Sequence, residues 1–483
     1  MKEGIVIPTY RLKDVGHTVK EYSDNLSENG YPDVPITVFD DSSFEINSRD
    51  YSEFKATTLS ASPKNLFYVG PYEKRECIAR LVDKVGSKHE ETIRRALRPS
   101  YGGNRNFSVL YTQGGQFISL DDDMRPWGLH HRDMKPLKGT EILRGEYVDK
   151  TDPTQVIERK DYDLIRAYAQ VLGKSVGEVL KGGQFCSGET LEDSMADFLT
   201  NKTKGKLEPN VVSLREGALD PSMRIVTAQT FRSGSADVDA TDYANDFLVD
   251  PHHAFVNDMS QRYVLHQFRP CITNTNWRLD SGVSGYDNRE GLPPFLPTKL
   301  RFEDYIYRLW LQHPNFAAAH VGAVQTHYRN PYMRESIPHD LWNEEVANNL
   351  KLKLKAGIRD IKLQAVTFEK GIEITESEVE VMMENGLNYY RRTLQRAAEV
   401  INQPPLSTSL TAEKHANYLV GFARDLFEEF SGFKIVPFFE RMRNVVTEEI
   451  DAIVRTTELW PDILEAAREM KLEGNLPITR VEL

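Results

Sequence analysis

Three consecutive aspartates, Asp121, Asp122 and Asp123, close a short apolar run in the stretch Gly114-Gly-Gln-Phe-Ile-Ser-Leu-Asp-Asp-Asp-Met-Arg-Pro126. A carboxylate left unpaired in a core costs several kcal/mol or takes up a proton, so the triplet must meet water, a metal ion or cationic side chains. Asp121 and Asp123 lie two apart. A locally extended chain would turn both to the same side, and an oxygen-only pair of that kind suits Mg2+ or Mn2+. An acidic run after a strand is also the composition of a solvated turn, because Asp readily caps its own backbone.

Other residues of chemical interest are scattered along the chain. Glu303 and Asp304 open an apolar helical segment, where the helix dipole favours the carboxylate anion and can hold it in a fixed direction. The same dipole preference accounts for a purely structural Glu-Asp pair. Arg105, after Tyr101-Gly-Gly-Asn, has the planar guanidinium that pairs with phosphate or carboxylate, or it is an exposed turn arginine. Asp40 and Asp41 follow an apolar run and read as ligand contacts or as an Asx turn. Of twelve histidines, the pairs His130-His131 and His252-His253 read as loop residues.

The elements that position these groups begin at the N-terminus. Gly4-Ile-Val-Ile-Pro8 reads as a strand, Val15, Val19, Tyr22 and Leu26 have helical spacing, and Ile36-Thr-Val-Phe39 reads as a second strand. Strand, helix, strand with short connections is a βαβ unit and implies a parallel sheet. Thr9, Asp40 and the aspartate triplet then share the carboxyl edge of that sheet, where open α/β sheets bind ligands. Residues 44 to 66 are poorly patterned, Leu66-Phe-Tyr-Val69 is strand-like, helices are expected at about 72–86 and 88–98, and 101–106 reads as a turn. Phe117, Ile118 and Leu120 read as a buried strand. Residues of about 135–220 look like a largely helical insertion, with helical patterns at 161–181 and 189–200, and a strand resumes at Arg224.

From Pro338 onward strand signals almost vanish, and helices are expected at about 339–370, 376–402, 411–431, 437–458 and 460–472, broken by Pro404-Pro405, Gly432 and Pro461. Val379, Met382, Met383, Leu387 and Tyr390 form an apolar stripe. Burial of that stripe on the N-terminal sheet domain, on itself, or on a second subunit in a homo-oligomer all fit the pattern.

Composition narrows the function classes. The chain has 483 residues, 40% of them hydrophobic, enough for a folded core in two or three domains. A net charge of −12 argues against nucleic acid as the main partner. Cys77, Cys186 and Cys271 are widely separated and fit neither zinc spacing nor a disulfide framework, so they read as buried thiols. The N-terminus enters a strand with no signal-peptide apolar region, and no apolar run approaches the ~20 residues of a membrane span. The expected location is cytoplasmic.

Ile5-Val-Ile-Pro-Thr-Tyr10, Val38-Phe-Asp-Asp-Ser-Ser43, Gly103-Asn-Arg-Asn106 and Phe117-Ile-Ser-Leu-Asp-Asp-Asp123, in this order, resemble the motif series of GT-A fold nucleotide-sugar glycosyltransferases, especially family 2. The second half continues the likeness. Cys271 to Asp287, with Trp277-Arg278 ahead of Gly285-Tyr-Asp287, is similar to the family's acceptor-side segment; Leu300-Arg-Phe-Glu-Asp304 resembles its Glu-Asp helix start; and Val324-Gln-Thr-His327 falls where many members place a metal-binding His. The likeness covers roughly residues 1–335 and leaves the C-terminal region unaccounted for.

The resemblance implies an α/β protein with a Rossmann-like, mainly parallel mixed sheet flanked by helices over residues 1–337, and the helical spacing beyond it reads as a separate all-α domain over 338–483. It implies donor contacts by Pro8, Thr9, Tyr10, Asp40 and Arg105, joined by Asp121, Asp122, Trp277 and Arg278. A divalent ion, Mn2+ or Mg2+, would be held by Asp121 and Asp123 with His327. Asp304 would be the base for a hydroxyl acceptor of open identity, with inversion at the sugar, and Glu303 would contact acceptor or backbone. Three rivals stay in view: a retaining GT-A enzyme, a nucleotidyltransferase, which usually carries a Gly-rich loop after its first strand where this chain has Pro8-Thr-Tyr-Arg-Leu-Lys13, and a non-enzymatic helical scaffold carrying an inactive sheet domain.

Overall fold

A computed structural model describes residues 3–481 except 60–64, 138, 150–151, 153, 161, 189–209, 214–216, 218, 231–234, 237–260, 276–281, 299–302, 324, 328–336, 363, 370–374, 403–409 and 433. The first half alternates strands and helices: β1 (Gly4–Thr9), α1 (Leu12–Glu28), β2 (Ile36–Asp40), α2 (Phe44–Leu59), β3 (Leu66–Val69), α3 (Pro71–Val85), α4 (Glu90–Ala96), α5 (Tyr101–Tyr111) and β4 (Gln116–Leu120). Short strands then follow the aspartate triplet: β5 (Met124–Arg125), β6 (Gly128–His131), β7 (Glu141–Asp149) and β8 (Val156–Arg159). After α6 (Leu164–Ala169) and α7 (Val176–Lys181) come β9 (Cys186–Ser187), β10 (Asn210–Ser213), β11 (Arg224–Gln229), β12 (Ser235–Ala236), β13 (Gln261–Gln267), β14 (Cys271–Asn274) and β15 (Val283–Asp287). The last third holds α8 (Glu303–Trp310), β16 (Phe316–His320), β17 (Thr326–His327), α9 (Ile337–Gly357), β18 (Ile358–Lys362), β19 (Ala365–Phe368), α10 (Glu376–Asn402), α11 (Leu410–Gly432), α12 (Ile435–Leu472) and β20 (Thr479–Arg480).

A ten-stranded mixed sheet in the order β20-β3-β2-β1-β4-β15-β11-β16-β14-β9 is the centre of the molecule. β3, β2, β1 and β4 are mutually parallel, β15 runs against β4 and β11, and β16 is again parallel to β11. Alternation along each strand assigns its two faces. Ile5, Ile7, Val38, Ile118 and Leu120 face α1, where Leu12, Val15, Val19 and Tyr22 complete one core. Val6, Phe39, Val69, Phe117 and Tyr286 face the opposite way, onto Leu81, Ile93, Phe107 and Trp310 of α3, α4, α5 and α8. The second core also takes in Ile453, Trp460 and Ile463 of α12, so the long C-terminal helix shares an interior with the sheet. Trp460 Nε1 donates to the Leu292 carbonyl at 2.8 Å, and Lys471 Nζ reaches Glu3 at 2.8 Å.

A second, six-stranded sheet in the order β10-β7-β13-β12-β17-β5 stands beside the first, and β5 joins it immediately after the triplet. Two expectations change here. The stretch expected to be a largely helical insertion holds, among its described residues, the strands β7 to β10 and only two six-residue helices. The helix expected over 161–181 is split at Gly173, which sits at φ +72 and donates its amide to the Ile225 carbonyl. The pattern at 189–200 lies outside the described residues.

The C-terminal region is helical but not all-α. A hairpin of β18 and β19 interrupts the helix expected over 339–370, and β20 pairs antiparallel with β3 at the edge of the main sheet. Pro461, expected to end a helix, lies inside the continuous α12. Its neighbours Leu459, Trp460, Ile463 and Leu464 are buried in the shared core, and that packing outweighs the missing backbone hydrogen bond. The poorly patterned residues 44–59 form α2. Among the described residues no helix is long and apolar enough to cross a membrane.

Candidate functional site

Strand order reverses between β1 and β4: β2 and β3 continue to one side of β1, and β4 lies on the other. The carboxyl ends of strands at such a switch point open a crevice that the flanking connections cannot fill. Thr9 ends β1 there, and the triplet follows β4. The triplet is a tight turn and not the extended segment the sequence suggested, because the Met124 amide donates to the Asp121 carbonyl at 3.2 Å. Asp122 turns inward, its side chain 7% exposed, while those of Asp121 and Asp123 are 33% and 17% exposed.

Arg11 holds that turn in place. Its Nε donates to Asp122 Oδ2 at 3.1 Å, its Nη2 contacts Asp122 Oδ1 and also donates to Asp123 Oδ2 at 3.1 Å, and Thr9 Oγ1 donates to Asp122 Oδ2 at 2.6 Å. Burial pushes the Asp122 carboxyl up, and the adjacent guanidinium pulls it back down. Thr18 of α1 donates to the Asp122 carbonyl, so the first helix is also tied to the triplet. Arg11 was not among the residues read from the sequence as functional: its partners stand more than a hundred positions away, and nothing local distinguishes it from a surface arginine.

A second guanidinium links the two acidic pairs. Arg105 lies within α5, not in a turn, because Ser100 caps the helix by accepting from the Gly103 amide at 3.0 Å. The adjacent glycines serve close packing: a Cβ on Gly102 would stand 1.6 Å from the Leu296 carbonyl oxygen, and one on Gly103 2.0 Å from that of Arg98. Buried to 5% exposure, Arg105 donates from Nε to Glu303 at 3.2 Å, from Nη1 to Ser119 Oγ at 2.9 Å and from Nη2 to Asp121 at 2.5 Å. Glu303 and Asp304 form the first turn of α8, whose apolar face carries Ile306, Tyr307 and Trp310 into the core. Asp304 is half-buried and Glu303 buried.

Burial, followed by the charge of Asp304, raises the Glu303 carboxyl to about 7, with Arg105 acting in the opposite direction. A carboxyl whose folded value lies above its unfolded one stabilises the fold below the unfolded pKa and loses that contribution as pH rises through the folded value. The Glu303 contribution is therefore lost between about 4.5 and about 7. Denaturant titration across that window should show wild type losing stability relative to Glu303→Gln as pH rises. Parallel curves for the two proteins would remove Glu303 as the cause.

The carboxyl end of β2 is organised internally. Asp40, fully buried, accepts from the Ser42 amide at 2.8 Å, Ser42 Oγ at 2.7 Å, Asn47 Nδ2 at 3.0 Å and Tyr68 Oη at 2.8 Å. Four donors on one carboxylate describe an Asx turn extended by two long-range contacts. Asp40→Ala should therefore cost on the order of 3 kcal/mol of folding stability by stranding buried donors, read as a lowered denaturant midpoint. An unchanged midpoint would mean that the donors find other partners. Asp41 pairs with Lys74 and accepts from the Ser100 amide at 3.0 Å. Lys74 Nζ also reaches Asn104 Oδ1 at 2.7 Å, and Asn104 Nδ2 donates to the carbonyls of Thr9 and Phe39 at 3.2 and 3.0 Å, tying α5 to the ends of β1 and β2.

The remaining expected residues fall as follows. Pro8 lies within β1 opposite Phe39, and Tyr10, just past the end of that strand, is 52% exposed, with the Arg11 guanidinium 5.5 Å from its ring centre. His327 sits in β17 with its backbone paired to Met124, the residue after Asp123; its side chain is outside the described set. Trp277 and Arg278 lie outside the described residues. Asp287, at the end of the antiparallel β15, stands opposite Gln116 and so at the far edge of the sheet, bound by Arg289 at 2.7 and 3.1 Å.

Five carboxyl groups, Asp121, Asp122, Asp123, Glu303 and Asp304, thus gather around two guanidinium groups, those of Arg11 and Arg105. Carboxyl groups crowded in this way favour keeping a proton on one of them, as at Glu303, and carboxylate oxygens are the donors that suit a hard divalent ion. Among the described residues no cluster of three or more His, Cys, Asp or Glu side chains is placed to hold a metal. Asp121 and Asp123, the pair the sequence suggests for such an ion, each accept from a guanidinium group, of Arg105 and Arg11 respectively. Comparison of the chain with protein-family models, curated proteins and solved structures gives no match in any of the three.

Proposed function

We propose that this protein is a metal-dependent glycosyltransferase of the GT-A type, moving a sugar from a nucleotide-diphosphate donor to a hydroxyl acceptor with inversion. The observation that carries the reading is the Arg105 bridge, which ties the Asp121 end of the triplet to the Glu303-Asp304 helix start across the switch point. The order of the sequence motifs adds to it. Asp121 and Asp123 would hold a Mn2+ or Mg2+ ion, with His327 as the further donor the resemblance implies. When bound, that ion neutralises charge developing on the departing diphosphate.

The chain's own residues supply the rest. Arg11 and Thr9 fix Asp122, and so set the direction in which its two neighbours face the crevice. Glu303 is buried and bonded to Arg105, and Asp304, less buried in the same helical turn, would take the proton from the acceptor hydroxyl as that oxygen bonds to the anomeric carbon and the bond to the diphosphate oxygen breaks. A panel of UDP-, GDP- and dTDP-sugars with Mn2+ or Mg2+ tests the reading. At least one should raise the thermal midpoint in a metal-dependent way and slowly release its sugar to water. Equal response to every nucleotide with and without metal would overturn it.

A further inference from the structure

The sequence presents three separated cysteines, and the fold brings two of them together. Cys186 on β9 and Cys271 on β14 are directly paired in a parallel register, with Ser187 opposite Ile272 as the next pair. Paired residues on neighbouring strands point to the same face with their backbones about 4.8 Å apart, inside the Cα separation of roughly 4.4–6.8 Å that a disulfide requires. The two side chains are near enough that, after burial, the Cys186 thiol helps to raise the Cys271 thiol well above the usual thiol range. Cys186 Sγ also donates to the Pro270 carbonyl at 3.4 Å, and its amide donates to the same carbonyl at 3.1 Å. Register and thiol proximity are independent of the acidic crevice, so the inference stands apart from the proposed reaction.

We propose that Cys186 and Cys271 are a thiol–disulfide pair, oxidised within the folded protein to a cross-strand bond. The oxidant is a small-molecule disulfide such as oxidised glutathione. The Cys186 thiolate attacks one of its sulfurs, forming a mixed disulfide and releasing one small thiol. The Cys271 thiolate then attacks the Cys186 sulfur and releases the second. Two electrons pass to the small disulfide, and the two protein thiol protons leave on the two released thiols. Cys186 is the entry point because β9 is a two-residue strand at the end of the sheet order, and short edge strands open more readily than central ones. Burial and the neighbouring thiol hold the Cys271 thiol well above the usual thiol range, which keeps the second step slow at neutral pH.

Cys77 provides an internal control. It lies on α3, which packs beside β3 near the other end of the sheet, fully buried beside Tyr111. The bond would join the inserted stretch to β14, the strand that runs into the Trp277-Arg278 segment.

The full chain, folded and reduced, is incubated with oxidised glutathione at mildly alkaline pH, quenched with acid, alkylated under denaturing conditions and mapped by mass spectrometry. The expected product is a single linked peptide pair joining Cys186 to Cys271, reversed by dithiothreitol, with Cys77 recovered as the alkylated thiol. Oxidation should raise the thermal midpoint, since a bond closing a long loop restricts the unfolded chain. Cys77→Ser should leave the link intact and Cys271→Ala should abolish it. Recovery of all three thiols, a link involving Cys77, or linkage that forms only in denaturant would each overturn the proposal, and the wild-type map alone suffices should a variant fail to fold.

Discussion

Replacing Asp304 by Asn is expected to lower turnover by about 10²–10⁴-fold while donor affinity stays close to wild type, the usual loss when a positioned general base is removed. The substitution preserves shape and hydrogen bonding and removes only the capacity to take up a proton. Its neighbour makes the comparison informative. Glu303 is buried, bonded to Arg105 and raised to about 7, so loss of its carboxylate should disturb the anchoring of Arg105 and Asp121 as well as the chemistry. Glu303→Gln should accordingly alter donor binding, where Asp304→Asn does not. An Asp304→Asn protein near the wild-type rate, or a product that keeps the donor's anomeric configuration, would overturn the assignment.

Asp123→Ala is expected to remove the divalent-dependent part of nucleotide binding altogether, a larger effect than the roughly 10–100-fold that follows loss of an outer-shell metal partner. The variant's affinity for a nucleotide sugar should equal that of wild type measured in EDTA. Its fold should survive. The Asp123 ion pair with Arg11 is a side contact of a guanidinium already gripped by Asp122, and removing one of several crowded carboxylates relieves repulsion. Isothermal titration with Mn2+ alone, in the absence of any nucleotide, separates loss of the ion from loss of the donor. Wild-type affinity that is indifferent to EDTA would sink the metal assignment.

The sequence was most legible where apolar strands end abruptly in polar residues. Ile5 to Thr9, Ile36 to Asp40 and Phe117 to Asp121 could be placed along one sheet edge because each run is short, mostly apolar and ends in a polar residue, and a helix alone joins the first two. Long-range pairing was not legible. β7 reads Glu-Ile-Leu-Arg-Gly-Glu-Tyr-Val-Asp, too charged to look like a strand, and it becomes one because β13 and β10 pair with it from either side. Pro461 looked like a helix end, and core packing around Trp460 decided otherwise. In the site, the carboxylates were visible as types, but the two arginines that arrange them were not equally so. Arg105 stood in a recognisable Gly-Gly-Asn-Arg run, whereas Arg11 takes its meaning wholly from Asp122 and Asp123.

The antiparallel pairing of β20 with β3 has a consequence for how the chain is made. Residues 66–69 and 479–480 are separated by most of the sequence, and the Val481 amide donates a further hydrogen bond to the Leu66 carbonyl at 2.9 Å. During translation, β1 to β4 can assemble long before β20 exists, so a ribosome-bound chain carries a sheet margin with unpaired backbone donors and acceptors for most of its synthesis. Open margins of that kind recruit other strands. Chains interrupted before residue 479 should therefore favour self-association over escape as monomers, and a supply of chaperone should matter more for this protein's yield than its final stability would suggest.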